Sequence, residues 1–343
     1  MSDAPIVVAD ELTRLRDKVG VLLELVKFEH SIFALPYAYI GAIYGAVASL
    51  PAWAGLAGVD PTLFALGPKA MSAAGARMPI IGDPFRYITP GGWPSWLAVG
   101  WVTVAMVGAR AVAFAINRAV DKEIDARNPR TADRAVPAGR IKAWELWLFS
   151  AVMLVAHIFA VFQLAPVTHV LWPIPLAMFL VYPYLKRFTP LGHFWLGACL
   201  GLGAVGGWLA VGGPVDAPAP WVFGAAVAIW TAGFDIIYAT QDLECDRRDS
   251  LHSVPADFGI VRGLVIVRIT HALAFVMFLL GGWLVGASWP YYTGVVFAGI
   301  LLWYENAIVR ADDLSRVDAA FFTVNGFVAV VILAGAVLDR LIG

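Results

Sequence analysis

Two runs of acidic residues carry the chemistry legible in this chain. In the first, Asn117, Asp121 and Asp125 recur every four residues. At about 100° per residue each step drifts only about 40°, so three oxygen-bearing side chains would share one helical stripe. The second comprises Asp235, Tyr238, Asp242, Asp246 and Asp249, whose steps of three and four keep one face if the helix continues. Hard oxygen ligands that leave coordination positions open favour Mg2+, which commonly binds carboxylates and phosphate oxygens together. The surrounding cations Arg118, Lys122, Arg130, Arg134, Lys186, Arg187, Arg247 and Arg248 suit a polyanionic headgroup arriving with the metal. A diphosphate meets both needs. The plain alternative, a solvated helix end, accounts for one such cluster more easily than for two.

Those clusters have to be positioned by a membrane bundle. Of 343 residues, 14 % are charged and 60 % are apolar, against roughly 25 % charged in a soluble domain. Apolar runs near 31–50, 95–116, 144–163, 171–185, 192–212, 221–240, 264–286, 291–309 and 319–338 are each long enough to cross most or all of the hydrocarbon. They are too evenly apolar for alternating barrel strands, so the expected fold is all-α: nine transmembrane helices in one bundle around a central cavity, capped by cytosolic loops. Trp93, Trp96, Trp144, Trp221 and Trp289 near the expected ends suit interfacial anchors. Asp235 then lies a turn or two inside its span, where an ionisable group is costly and usually functional.

Basic residues orient the bundle. With the N-terminus in the cytoplasm, the outer side receives only Lys69, Arg77, Arg86 and Arg340, while Arg110 and Arg268 fall within spans and every other Lys or Arg is inside. The first thirty residues mix acids and bases without an apolar signal core, so no removable leader is expected. The whole chain, 1–343, reads as a single polytopic domain. A Gly-, Pro- and Ala-rich segment at about 51–94 reads as an extracytoplasmic insertion, too long for an ordinary helix connection. A net charge of −1 and the lack of finger or RNA-binding patterns argue against nucleic-acid binding. Two cysteines, Cys199 and Cys245, build neither a disulfide framework nor a paired-Cys metal site.

The NxxxDxxxD pattern at Asn117, Asp121 and Asp125, paired with DxxYxxxD at Asp235, Tyr238 and Asp242 and followed by Asp246, resembles the UbiA-type intramembrane aromatic prenyltransferases. The similarity runs on through 27–41, 131–139, 182–189 and 251–259, and the segments at Lys27 and Leu251 look most like the branch that takes 4-hydroxybenzoate or related hydroxy-naphthoate acceptors. The resemblance implies a Mg2+-dependent enzyme that joins a polyprenyl diphosphate to an aromatic acid acceptor in quinone biosynthesis, within the lipid bilayer of the inner membrane. It assigns Asn117, Asp121, Asp125, Asp242 and Asp246 to metal ions, and it makes Asp121, Asp125, Asp235, Tyr238, Asp242 and Asp246 the catalytic set. Arg110, Asn117, Arg134, Lys186 and Arg187 are the expected substrate-binding residues. Arg110, two turns before Asn117, shares the face of the first cluster and could hold the diphosphate or the acceptor carboxylate. A homogentisate-like or tetrapyrrole acceptor is the alternative within the same chemistry, and a transporter the alternative outside it.

Outside these clusters, six histidines show no HxxxH pair, which disfavours a histidine metal site. Glu305 and Asn306 in the eighth span suit helix-to-helix hydrogen bonds or the cavity wall. Pro36 is expected to kink the first span. Gly201, Gly203, Gly206 and Gly207 suit close helix packing or room for a prenyl chain.

Overall fold

The computed structural model describes residues 20–21, 33–57, 60–62, 66–67 and 83–342, and these residues are almost wholly helical. The long helices are α1 (Leu35–Ala57), α2 (Trp96–Val120), α3 (Ala143–Val161), α4 (Pro173–Leu185), α5 (Gly192–Ala210), α6 (Pro218–Ala239), α7 (Ile260–Leu284), α8 (Trp289–Ile308) and α9 (Asn325–Ile342). Among the described residues, seven helical stretches are both long and apolar enough to cross a membrane: those of α2, α3, α5 and α7, α4 with its preceding turn, α6 with the helical continuation to Arg248, and α9 with its preceding turn. α1 and α8, of 23 and 20 residues, occupy the first and eighth expected positions, their apolar runs diluted by Tyr, Gly and Pro.

Each helix has local reasons to start and stop where it does. Ser95 caps α2 by accepting from the Ala98 N–H at 3.0 Å. Gly259, at φ +83°, makes the backward turn into α7 that a side chain would disfavour. Pro36 does not kink α1. The helix begins at Leu35, so Pro36 sits in its first turn, where no intrahelical partner awaits its missing N–H. The helix also runs past Pro51 to Ala57, so the first residues expected in the outer insertion belong to a helix. Residues 58–59, 63–65 and 68–82 of that insertion and the 27–32 part of the first similar segment lie outside the described residues.

α5 packs between α1 and α6, α6 continues onto α7, α8 pairs with α9, and α2 pairs with α3 and α4. Glycines let α5 approach both neighbours. A Cβ at Gly207 would stand 1.9 Å from the Ala38 carbonyl oxygen of α1, and one at Gly197 would stand 2.0 Å from the Ala228 carbonyl oxygen of α6. The aromatic side chains of Tyr37, Phe223, Trp230, Phe278 and Tyr291 fill the centre of this half. Here Glu305 is fully buried and takes the helix-to-helix role: Asn325 Nδ2 donates to it at 2.7 Å, while Trp230 Nε1 donates to Asn325 Oδ1 at 2.8 Å. Asn306 likewise reaches His271 across to α7, at 2.9 Å.

Both acidic stripes break where their long helices end. α2 ends at Val120, and Asp121 is its C-cap, with its N–H on the Asn117 carbonyl at 2.9 Å; a separate helix, Lys122–Arg127, follows. α6 ends at Ala239, passes through a 3-10 turn at Thr240–Asp242 and resumes as Leu243–Arg248. The expected continuous stripes are therefore each bent. A straight helix would carry the acids on into water, whereas the bends bring them over the end of the bundle.

Candidate active site

A cavity of about 650 Å3 runs between α2, α4, α5 and α6. Its mouth is ionic, lined by Asn117, Asp121, Asp125, Asp235, Tyr238, Asp242 and Asp246 from the two acidic segments, together with Arg110, Arg118, Arg130, Arg134 and Lys186. Its depth is apolar, reaching Leu164, Trp172, Leu209 and Trp221 near the opposite ends of the helices. The two acidic segments thus meet above one apolar chamber, as an amphiphile with a charged head requires.

The carboxylates do not stand bare. Asp121, 4 % exposed, accepts from Lys186 Nζ at 2.6 Å and from Arg187 at 3.5 Å. Asp125 is held between Arg118 at 3.1 Å and Arg134 at 2.9 Å. Asp242 receives both edges of the Arg130 guanidinium, with Nε at 2.9 Å from Oδ1 and Nη2 on Oδ2, and Asn128 Nδ2 adds a bond at 2.7 Å. Arg130 also donates to the Tyr238 hydroxyl at 2.8 Å and lies over its ring, 4.9 Å from the centroid. Tyr238 in turn stacks on Phe321 at 4.2 Å, from the π-helical turn Ala319–Val324 that precedes α9. Asp246 accepts from Ser253 Oγ at 2.9 Å.

Electrostatics follows from this burial. Burial raises the Asp121 carboxyl above its ordinary range, although Lys186 and Arg187 pull the other way. Burial also opposes charge on Arg130, but the bonded Asp242 carboxylate outweighs it, so the guanidinium is held more firmly protonated than usual.

Arg187 departs from the expected placement. It lines a separate pocket of about 360 Å3 with Glu123, Arg127 and Asp249, and reaches Asp121 from that side. Consecutive residues at a helix end point in different directions, so only Lys186 of the pair faces the main cavity. Asp249 lines that second pocket too and pairs with Arg127 and Arg248, apart from the other acids of its run. Arg110 lines the main cavity with its guanidinium 4.9 Å over the Phe114 ring. Its Nε has no hydrogen-bond partner among the described residues. Two turns beyond, the buried Asn117 Oδ1 is also unpartnered among the described residues.

Sequence reading passed over His193 and Ser253. His193 bonds Asp235, with Nδ1 at 2.6 Å from Oδ2. A lone histidine within two residues of the start of an apolar span was the available signal. Ser253 carried none, because its bond to Asp246 depends on how the segment after the second cluster folds back.

Among the described residues, no three His, Cys, Asp or Glu side chains share one point as a ready metal site. The donor chemistry nevertheless fits a hard divalent cation. Every candidate ligand is an oxygen, Asn117 Oδ1 lacks a partner, and the carboxylates are balanced by side-chain cations that an arriving positive charge would release.

Comparison with known proteins agrees. The chain is 28% identical over 251 residues to a 4-hydroxybenzoate octaprenyltransferase from Janthinobacterium sp. (strain Marseille), covering 73% of this chain and 87% of that protein. It is 29% identical over 231 residues to one from Neisseria gonorrhoeae (strain NCCP11945), covering 64% and 76%. The fold matches a UbiA homolog from Aeropyrum pernix K1 in its apo structure, with TM-score 0.70, 29% identity and coverage of 91% and 98%. A UbiA homolog from Archaeoglobus fulgidus bound to GPP and Mg2+ shares the fold at TM-score 0.63 and 15% identity, covering 94% of this chain and 100% of that one. Residues 85–329 match the UbiA prenyltransferase family, so this multi-pass, all-helical membrane protein is an enzyme that belongs to the UbiA prenyltransferase family.

Proposed function

We propose that this enzyme transfers a polyprenyl group from its diphosphate to 4-hydroxybenzoate or a closely related hydroxylated aromatic acid, as a step toward a quinone. The observation that carries the reading is the single cavity with an ionic mouth fed by both acidic segments and an apolar depth. The similar octaprenyltransferases support the acceptor class. The reading makes one polytopic domain of the chain, set in the inner membrane with its N-terminus and the cavity mouth on the cytoplasmic side.

Mg2+ would be held by Asn117, Asp121 and Asp125 on one side and by Asp242 and Asp246 on the other, supplying positive charge for the departing diphosphate. Lys186 and Arg134, released from Asp121 and Asp125, then turn to the diphosphate oxygens. Arg187 stays behind Asp121 and fixes its orientation. Arg110 offers its free guanidinium edge to the acceptor carboxylate. Phe114, Phe179 and Phe234 exclude water from the allylic cation, so that the electron-rich ring captures it. The ring then gives up the proton at the attacked carbon and regains aromaticity. Asp235 takes that proton on Oδ1, a reading supported by the bond of His193 to Oδ2. Arg130 and Tyr238 bridge the two segments and set the width of the mouth.

The test is incubation of purified protein with Mg2+, prenyl diphosphates of several lengths and a panel of aromatic acids, followed by mass analysis. A prenylated hydroxybenzoate that disappears with chelator supports the reading. Product only from homogentisate-like or tetrapyrrole acceptors overturns the acceptor assignment.

A further inference from the structure

His193 sits on the first turn of α5, is 7 % exposed, and lines the cavity. It makes one bond to each of two separate elements. Nδ1 meets Asp235 Oδ2 of α6 at 2.6 Å, and Nε2 accepts the Val254 N–H at 3.2 Å. A ring nitrogen that accepts carries no proton, so the other must: this is the neutral Nδ1–H tautomer, donating to Asp235. Val254 opens the short helix Val254–Phe258, the far end of the segment that folds over the cavity mouth. That segment is held at further points as well, where Leu251 N–H donates to the Asp246 carbonyl at 2.8 Å, His252 N–H donates to the Lys186 carbonyl at 2.7 Å and Ser253 Oγ donates to Asp246. Leu251, His252 and Ser253 themselves line the cavity.

We propose that His193 is a positioning residue that couples closure of the 250–254 segment over the cavity to the orientation of Asp235. The inference deepens the functional reading above and rests on it. With the segment docked, the Val254 N–H fixes the imidazole tautomer, and the Nδ1–H holds one oxygen of Asp235. Among the described residues the other oxygen, Oδ1, has no protein partner and is left for the reaction. With the segment lifted, Nε2 loses its donor, Asp235 loses its constraint, and water enters above the allylic cation. Water that captures the cation forms the C–O bond of a prenyl alcohol and passes its spare proton to solvent, so diphosphate is released without transfer. His193 therefore sets how the cation divides between ring and water.

The experiment uses the full-length protein in phospholipid nanodiscs with Mg2+, a prenyl diphosphate and 4-hydroxybenzoate, and measures prenyl alcohol and prenylated acid in the same reaction. His193→Phe keeps an aromatic ring but removes both bonds, and the ratio of alcohol to prenylated acid is expected to rise about tenfold, which is about 1.4 kcal/mol of lost discrimination. His193→Gln supplies an amide N–H and an amide C=O for the same two partners and is expected to restore a ratio near that of the unchanged protein. Val254→Pro removes the N–H, at a first helical position that suits proline, and Val254→Ala, which keeps the N–H but trims the same buried side chain, is its packing control; the pair tests the same link if the Phe variant fails to fold. Val254→Pro is expected to raise the ratio above that of Val254→Ala. A parallel fall of both products in His193→Phe and Val254→Pro, with the ratio unchanged, would mean that His193 only supports the fold, and the inference would be overturned. Prenyl diphosphate hydrolysis without acceptor separates the two readings. It rises in His193→Phe and Val254→Pro if the coupling is right, and stays level if it is wrong, whichever acceptor the unchanged enzyme accepts.

Discussion

Arg130 and Asp242 lie 112 residues apart in the chain and meet as a two-point pair across the cavity mouth, the guanidinium also resting on Tyr238. The segment after the first acidic run is thereby fastened to the second. Lysine can supply the charge but neither the planar fork nor the stacking. Arg130→Lys should therefore lower kcat/KM about tenfold or more, worth about 1.4 kcal/mol of transition-state stabilisation. Steady-state kinetics of Arg130→Lys and Arg130→Ala checks this, and a lysine variant with unaltered kinetics would reduce the pair to surface decoration.

Asp121→Asn and Asp242→Asn keep size and hydrogen bonding but remove a formal charge from each side of the mouth. Each should leave the fold largely intact and cost about a hundredfold or more in turnover, and the double variant should cost less than the product, because groups acting on one leaving group are not additive. Asp318→Asn is the comparison. Among the described residues Asp318 accepts from Gln241 Nε2 at 2.9 Å, a bond that asparagine can also accept, so turnover should change little. Equal damage from all three would show that the two acidic runs have no special part.

If Arg110 receives the acceptor carboxylate, Arg110→Met should raise the KM for the aromatic acid by about tenfold or more and the KM for the diphosphate far less, since one charge-assisted contact to one substrate is lost. Equal rises would place Arg110 on the diphosphate. A decarboxylated acceptor that reacts as well as the acid would exclude the carboxylate contact.

Asp121 carries a testable pH signature. Its folded-state pKa lies above the unfolded value, mainly through burial. Stability tied to this group is thus fully present below the unfolded carboxylate pKa, near 3.9, and is lost as pH rises through the higher folded value. Relative to the unchanged protein, Asp121→Asn should melt at an equal or higher temperature at pH 7, with the gap closing toward pH 4. Thermal melts in nanodiscs across that window measure it. A gap that widens on acidification would show that Lys186 and Arg187 outweigh the burial.

Gly206 and Gly207 are neighbours with opposite expectations. Both line the cavity, but a side chain at Gly206 meets nothing within 4 Å, whereas one at Gly207 collides with α1. Gly206→Leu should fold and shift preference toward shorter prenyl diphosphates by filling cavity space. Gly207→Leu should express poorly. Relative kcat/KM across a chain-length series, with yield of folded protein, distinguishes them.

How far the sequence reached can be judged residue by residue. Asn117, Asp121 and Asp125 were legible as a set because four-residue spacing survives any detail of the fold. The break after Val120 was not, since nothing local forbids one more turn; the bend is secured by Lys186 and Arg134, which arrive from elsewhere in the chain. The same holds for Arg130, which read as one of several cations until closure of the bundle selected Asp242 for it. Lys186 and Arg187 looked equivalent as a basic pair and are separated only by the direction each takes from the end of α4. Pro36 misled because the apolar run begins before the helix does.

The glycine contacts of α5 limit how this enzyme can change over generations. Two sides of that helix admit no side chain without displacing the backbone of α1 or α6, so selection for a new substrate has little freedom there. Its third side, where Gly206 faces empty space, can accept change at small cost to folding. Divergence in substrate range should therefore accumulate on that side and on the cavity faces of α2 and α4, and saturation mutagenesis scored separately for folded yield and for chain-length preference would draw that boundary along α5.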